Sequence, residues 1–210
     1  MSPPPPVLVS VWSDYTCPFC YVATERVGWL ESQPEVSVEW LPFDLHPEYP
    51  PEGISREELV KRHGQSEIDI PKQLTEEAGL TYAPHPRKVP SSRRALELTE
   101  WARSLRNGSH ERLHRRIMDA YWAESRDISD WAVLADCVSD VDLDPAAGQD
   151  AVEAGAHGAA VDASTTSAQS AGINAVPAFV FDGRFLVPGA VPHEALGRAI
   201  EHARSATGSG

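Results

Sequence analysis

Apolar and polar positions change rhythm several times along the chain, and each change predicts an element. Val7, Val9 and Val11 alternate, with Leu8 and Trp12 apolar on the opposite face, as in a strand covered on both sides. From Phe19 the apolar residues recur at Val22, Ala23, Val27 and Leu30, the spacing of one helix face, and Pro34 stops the run. Val36 to Leu41 alternates again. A strand, a helix and a second strand in so short a span predict a right-handed βαβ unit. The next stretch, Pro42 to Gly53, holds four prolines and reads as an ordered loop.

Between Ser55 and Ala171 the patterns are helical, and no strand is expected. Ser55 with Glu58 forms a capping box, and a further helix is expected from Ser66 to Ala78. Ser91 to Arg106 places Ala95, Leu98, Ala102 and Leu105 on one face; Leu113, Ile117 and Tyr121 do the same on the next helix. Asp130 to Val138, the cap-plus-proline start Asp144-Pro145, and Gly158 to Ala171 complete the run. Two apolar strands follow, Ala178 to Phe181 and Arg184 to Val187, around a two-residue Asp182-Gly183 turn. Pro188-Gly189 ends the second strand and His193 to Ala203 forms a closing helix. Residues 1 to 6 are expected as an extended proline arm, and 206 to 210 as a frayed end.

One short stretch carries distinctive chemistry. In Thr16-Cys17-Pro18-Phe19-Cys20-Tyr21 the first strand gives way to the first helix. A sulfur at a helix start meets unpaired backbone amides and the positive end of the macrodipole, which favour a thiolate. Cys20, one turn on, can resolve a mixed disulfide formed by Cys17. Pro18 lacks an amide hydrogen and presets a helical φ, which suits a first helical position. Phe19 fits either a shield over the sulfurs or a contact to a partner. Asp14 has three readings: a carboxylate that raises the Cys17 pKa, a helix cap, or a side chain in water. A zinc site would need a second ligand pair. His110 and His114 share a helix face, but Arg112, Arg115 and Arg116 around them read as a solvated basic face. A local structural disulfide is the other bland reading.

Bulk properties narrow the partners. With 31 acidic against 18 basic residues the formal net charge is -13, which opposes nucleic-acid binding. The 210 residues suffice for one substantial domain or a domain with an insertion. Three cysteines do not make a disulfide-built framework, and Cys137, inside the apolar run Trp131 to Val138, reads as a buried small hydrophobe. The first residues lack a secretory pattern and no apolar run is long enough to span a membrane, so a soluble cytoplasmic protein is expected. The segment Thr81 to Pro90, with Arg87 and Lys88, is a basic loop in an acidic chain; it fits an anion such as a glutathione carboxylate or an ordinary exposed loop. Val176-Pro177 is awkward in front of a buried strand, because proline brings no ladder donor.

Four stretches together resemble the DsbA-like branch of the thioredoxin superfamily, and within it the cytoplasmic FrnE-type proteins: Ser13 to Tyr21, Leu45 to Gly53, Ser92 to Leu98, and Gly172 to Phe179. The resemblance implies an α/β protein with a thioredoxin-like fold and a large all-α insertion, residues 1–53 and 172–210 forming the discontinuous domain and 54–171 the insertion. It implies thiol-disulfide exchange, with Cys17 as nucleophile, Cys20 as resolving thiol and Pro177 as a cis proline. Pro18, Phe19, Val176 and Pro177 then contact substrate, Val176 by pairing with an incoming chain. Partners would be protein or small-molecule thiols and disulfides, and the chain a monomer or homodimer, with no bound cofactor or metal. Relatives often carry tryptophan at the place of Phe19 and asparagine near Ser91. Pro-Phe between the cysteines is similar to the Pro-Tyr of glutaredoxins, which leaves glutathione open as a co-substrate. A related branch, the hydroxychromene-carboxylate isomerases and kappa-type glutathione transferases, usually has serine at the place of Cys17. A glutathione-dependent transferase or isomerase acting on a small aromatic compound is therefore the alternative function, and a binding module with structural cysteines the third.

Overall fold

Val7–Ser13 (β1), Val36–Pro42 (β2), Ala178–Phe181 (β5) and Phe185–Pro188 (β6) build one sheet in the order β2-β1-β5-β6, and this order sets where everything else lies. The computed structural model describes residues 6–63, 66–83 and 88–207. Residues 1–5 of the proline arm, 64–65, 84–87 of the basic loop, and 208–210 lie outside the described residues. Strand β1 (Val7–Ser13) runs parallel to β2 (Val36–Pro42), pairing Val7 with Val36 and Ser13 with Pro42. Helix α1 (Pro18–Glu31) connects them, completing the expected βαβ unit. Strand β5 (Ala178–Phe181) is antiparallel to β1, and β6 (Phe185–Pro188) is antiparallel to β5.

The hairpin loop is one residue longer than expected. Asp182 and Gly183 both have positive φ (50° and 65°), and the Arg184 amide donates to the Phe181 carbonyl. The strand register nevertheless resumes at Phe185, opposite Phe181, so Arg184 is a third loop residue.

Val7, Val9 and Val11 are buried against Ala23, Val27 and Leu30 of α1 and Leu196, Ile200 and Ala203 of α9 (His193–Thr207). The alternation expected of β1 is correct, but its second face is not covered throughout: Leu8 is 42 % exposed. Leu186 on β6 is likewise exposed.

The intervening segment folds as α2 (Arg56–His63), α3 (Ser66–Glu77), α4 (Arg93–Ser104), α5 (Ser109–Trp122), α6 (Trp131–Ser139), α7 (Pro145–Glu153) and α8 (Gly158–Ser170). The capping serine at 55 accepts from the Glu58 amide and Asp144 caps α7 as expected, whereas Asp130, expected as the first residue of its helix, is instead the cap of α6, which starts at Trp131. Two findings differ from the sequence reading. A small antiparallel pair, β3 (Ile54–Ser55) and β4 (Lys88–Val89), lies inside the segment expected to lack strands. Leu105, expected on the buried face of α4, lies past its end and is exposed, while Ala95, Leu98 and Ala102 are buried. A second apolar cluster joins Leu98, Leu113, Ile117, Met118 and Leu134 of these helices to Tyr15, Cys17, Cys20 and Val176. The cysteines therefore sit where the helical layer meets the sheet. No described helix is long and apolar enough to cross a membrane.

Candidate active site

Strand β1 ends at Ser13, and Asp14 to Thr16 turn the chain into α1. Cys17 is the N-cap of α1, with extended backbone (φ -83°, ψ 116°), and Pro18 occupies the first helical position. The Cys17 amide donates to the Asp14 carbonyl at 3.3 Å, and the Cys20 amide to the Cys17 carbonyl at 3.0 Å. No side chain caps this helix and its first turn holds no acidic residue. The positive end of the helix dipole is thus left to the Cys17 sulfur.

The two sulfurs are unequal. Cys17 keeps a sliver of surface and Cys20 has none. Both are free thiols, as is Cys137. Burial pushes the Cys20 pKa well above the ordinary thiol value, and the adjacent Cys17 sulfur pushes it further. Cys17 is the sulfur open to approach from outside, and Cys20 is enclosed beside it.

The chain across the sheet arrives from the other side. The Val176-Pro177 peptide bond is cis. The Cys17 thiol donates to the Val176 carbonyl at 3.2 Å, a contact between residues 159 apart in sequence. Pro177 is buried, and its carbonyl accepts from Gly189, whose positive φ (82°) ends β6. Pro18 and Phe19 are half-buried on the first turn, and Phe19 packs against the helical cluster. All six residues singled out in the sequence, Cys17, Cys20, Pro18, Phe19, Val176 and Pro177, therefore converge.

Two of the three readings of Asp14 fail, the helix cap and the side chain in water: it is fully buried and does not cap α1. Its Oδ1 accepts from the Thr16 amide and hydroxyl, both at 2.7 Å. Its Oδ2 accepts from the Leu45 amide at 3.0 Å and the Ser92 hydroxyl at 2.7 Å. One carboxylate thus ties the loop before Cys17 to the loop after β2 and to the start of α4, which explains why the separate stretches 45–53 and 92–98 accompany the cysteines. Beside this framework lies a cleft of about 340 Å³ lined by Asp44, His46, Tyr49, Ser91, Arg93 and Arg94. In it the Arg93 guanidinium is already held by Asp44, Glu97, Asp162 and the Gly158 carbonyl.

His110 and His114 are buried, correcting the solvated reading. Their side of α5 faces the core, and Arg112, Arg115 and Arg116 instead pair outward with Asp142, Glu31 and Asp140. His114 Nδ1 shares a 3.1 Å hydrogen bond with the Tyr15 hydroxyl, and its ring stacks on Trp40 at 4.2 Å. Burial, reinforced by neighbouring positive charge, holds both imidazoles well below the usual histidine range, His110 at about 3. Among the described residues no group of three or more His, Cys, Asp or Glu side chains is placed to hold a metal ion.

Two further expectations resolve here. Cys137 is buried in α6, its thiol pushed up to about 11 by desolvation. Lys88, one of the two cations expected to meet an anion, is paired with Asp127 at 3.1 Å; Arg87 lies outside the described residues.

Residues 8–201 match the DSBA-like thioredoxin domain family. The chain belongs to that family. The sheet and its helices have the DsbA-like thioredoxin fold of that family. An uncharacterized Bacillus subtilis protein, YwbO, is 29 % identical over 201 residues, covering 92 % of this chain and 96 % of its own. A probable DsbA oxidoreductase of Streptomyces coelicolor superposes with a TM-score of 0.86 at 25 % identity, over 95 % of this chain and 90 % of that one. The cytosolic disulfide reductase DsbM of Pseudomonas aeruginosa, solved with GSH, shares the fold (TM-score 0.69, 16 % identity, 96 % and 98 % coverage).

Proposed function

We propose that this DSBA-like protein exchanges thiols and disulfides through Cys17 and Cys20, and that it is a cytoplasmic, FrnE-type member that takes protein or small-molecule disulfides. The observation that carries the reading is the Cys17 sulfur at the bare start of α1, in contact with the Val176 carbonyl and one turn from a buried second thiol.

The Cys17 thiolate attacks one sulfur of a substrate disulfide held beside Val176. That bond breaks, and the other substrate sulfur leaves as a thiolate and takes up the proton Cys17 gave up. Cys20 then loses its proton to solvent and attacks the Cys17 sulfur, forming the Cys17-Cys20 disulfide and expelling the second substrate sulfur, which is protonated in turn. One disulfide is reduced and one dithiol oxidised. A cytosolic glutathione pool would keep the pair reduced, which favours the reductase or isomerase direction, with glutathione as a small-molecule partner. Reduction of insulin by the wild type and by Cys17→Ser tests this: the variant should lose activity, and equal activity would sink the proposal.

The transferase or isomerase reading is weaker. Lys88 is already committed to Asp127, and a thiol rather than a hydroxyl stands at position 17.

A further inference from the structure

Cys20 poses a problem for the exchange just proposed, on which the following rests. It is fully buried beside another sulfur, yet resolution needs its thiolate. Ser13, the last residue of β1, is also buried, 1 % exposed, and its hydroxyl makes no formed hydrogen bond. An unpaired buried hydroxyl is uncommon and calls for a reason. Ser13 follows Val7, Val9 and Val11 on the face of β1 that packs on α1, and Cys20 stands one turn before Ala23, Val27 and Leu30 on the stripe of α1 that meets that face, so the hydroxyl and the sulfur are buried at the same end of one seam. The hydroxyl and the Asp14 backbone N–H both favour the ionised form of Cys20. A thiol sulfur accepts hydrogen bonds weakly, whereas a charged acceptor makes them roughly twice as strong. A donor left idle beside the thiol thus gains a partner when the proton leaves.

We infer that the Ser13 hydroxyl is the hydrogen-bond donor that holds the Cys20 thiolate while it attacks the Cys17-substrate disulfide, with the Asp14 amide as its companion. The step is balanced without another reagent: the Cys20 proton goes to solvent, the Cys17-Cys20 bond forms, and the substrate thiolate leaves. By microscopic reversibility the same donor stabilises Cys20 as the leaving group when a substrate thiolate opens the oxidised pair. Ser13 does not act on the first attack, since the sulfur it faces is not the nucleophile.

Ellman's reagent separates the two steps, because Cys17 attack and Cys20 resolution each release one coloured thiolate. With Cys137→Ala as background, Ser13→Ala should leave the first release unchanged and slow the second about tenfold, equivalent to about 1.4 kcal/mol. The pH needed for the second phase should rise in step. Ser13→Thr, which keeps the hydroxyl, should restore the wild-type second phase, and Ser13→Val, of the same shape without it, should not; that pair keeps the comparison intact if the alanine variant folds poorly. A second phase unchanged in both Ala and Val, or both phases slowed in proportion, would overturn the assignment. Failure of the dithiol reading itself looks different: the wild type would then give no two-step release, and Cys20→Ser would not stop at a mixed adduct.

Discussion

Replacing His110 by glutamine should flatten the acid sensitivity of the fold. The imidazole lies in the layer between α4 and α5, facing Arg103, Glu100 and Glu111 as well as His114. Burial and the Arg103 charge lower its pKa to about 3, against about 6.5 in an unfolded chain. Above pH 6.5 both states hold it neutral and its contribution is fully present. As pH falls below 6.5 the unfolded chain binds a proton that the folded one refuses, so stability declines, and the decline ends only near pH 3. At pH 5 the gap is about 1.5 pH units, or about 2 kcal/mol at 1.36 kcal/mol per unit. Glutamine does not titrate and can still accept from Arg103. Urea unfolding at pH 7 and pH 5 gives the check: the wild type should lose about 2 kcal/mol more than His110→Gln, while the carboxylates contribute alike to both. With a urea slope of about 1–3 kcal/mol per molar, this is a difference of roughly 1 M in midpoint shift. Equal losses in the two proteins would refute the neutral, buried imidazole. His114, displaced in the same direction, should add to the effect, and the double variant should be flatter still.

Asp14→Asn turns one oxygen of the carboxylate into a donor facing two donors. At about 1.5–3 kcal/mol per hydrogen bond to a charged group, the loss should be roughly 3 kcal/mol, a fall of roughly 6–12 °C in melting temperature by calorimetry; an unchanged transition would mean the four contacts are not formed. Gly53→Ala places a Cβ inside contact distance of the Val89 carbonyl oxygen at a position with φ of 79°, so backbone strain and overpacking should together destabilise by about 2–5 kcal/mol. Amide exchange at Ile54 and Val89 should rise with it, and protected amides there in the variant would count against the close approach.

The elements with a clear period were the legible ones. Strand β1, helix α1, strand β2 and the β5-β6 hairpin announce themselves because their apolar residues must reach a core on a fixed side. The β3-β4 pair is two residues long on each side, too short to show an alternation, and it forms because the chain returns past Gly53 to Val89. Leu8 looked like a buried residue because it alternates correctly; nothing in its neighbours shows that the sheet is uncovered at that end. At the site, the cysteines and Pro177 could be read from the chain, since each has a local physical reason. Asp14 could not. A single carboxylate between a strand and a helix looks like turn chemistry, and its partners Leu45 and Ser92 are brought to it only by tertiary packing. The histidines of α5 misled for a related reason: three arginines beside them suggested water, whereas their own stripe turns inward with Leu113 and Ile117. Ser13 left one faint trace, a hydroxyl closing an apolar strand.

The contact between the Cys17 thiol and the Val176 carbonyl couples two events that are usually treated apart. While the sulfur keeps its hydrogen, it occupies a lone pair of that carbonyl. Once ionised, it withdraws the donor and sets an anion against the negative end of the carbonyl dipole, so the acceptor turns toward any amide offered from outside. On the proposed reading, arming the sulfur and opening a berth for an incoming backbone would then be a single act, and a protein whose sulfur stays protonated would present a closed quay.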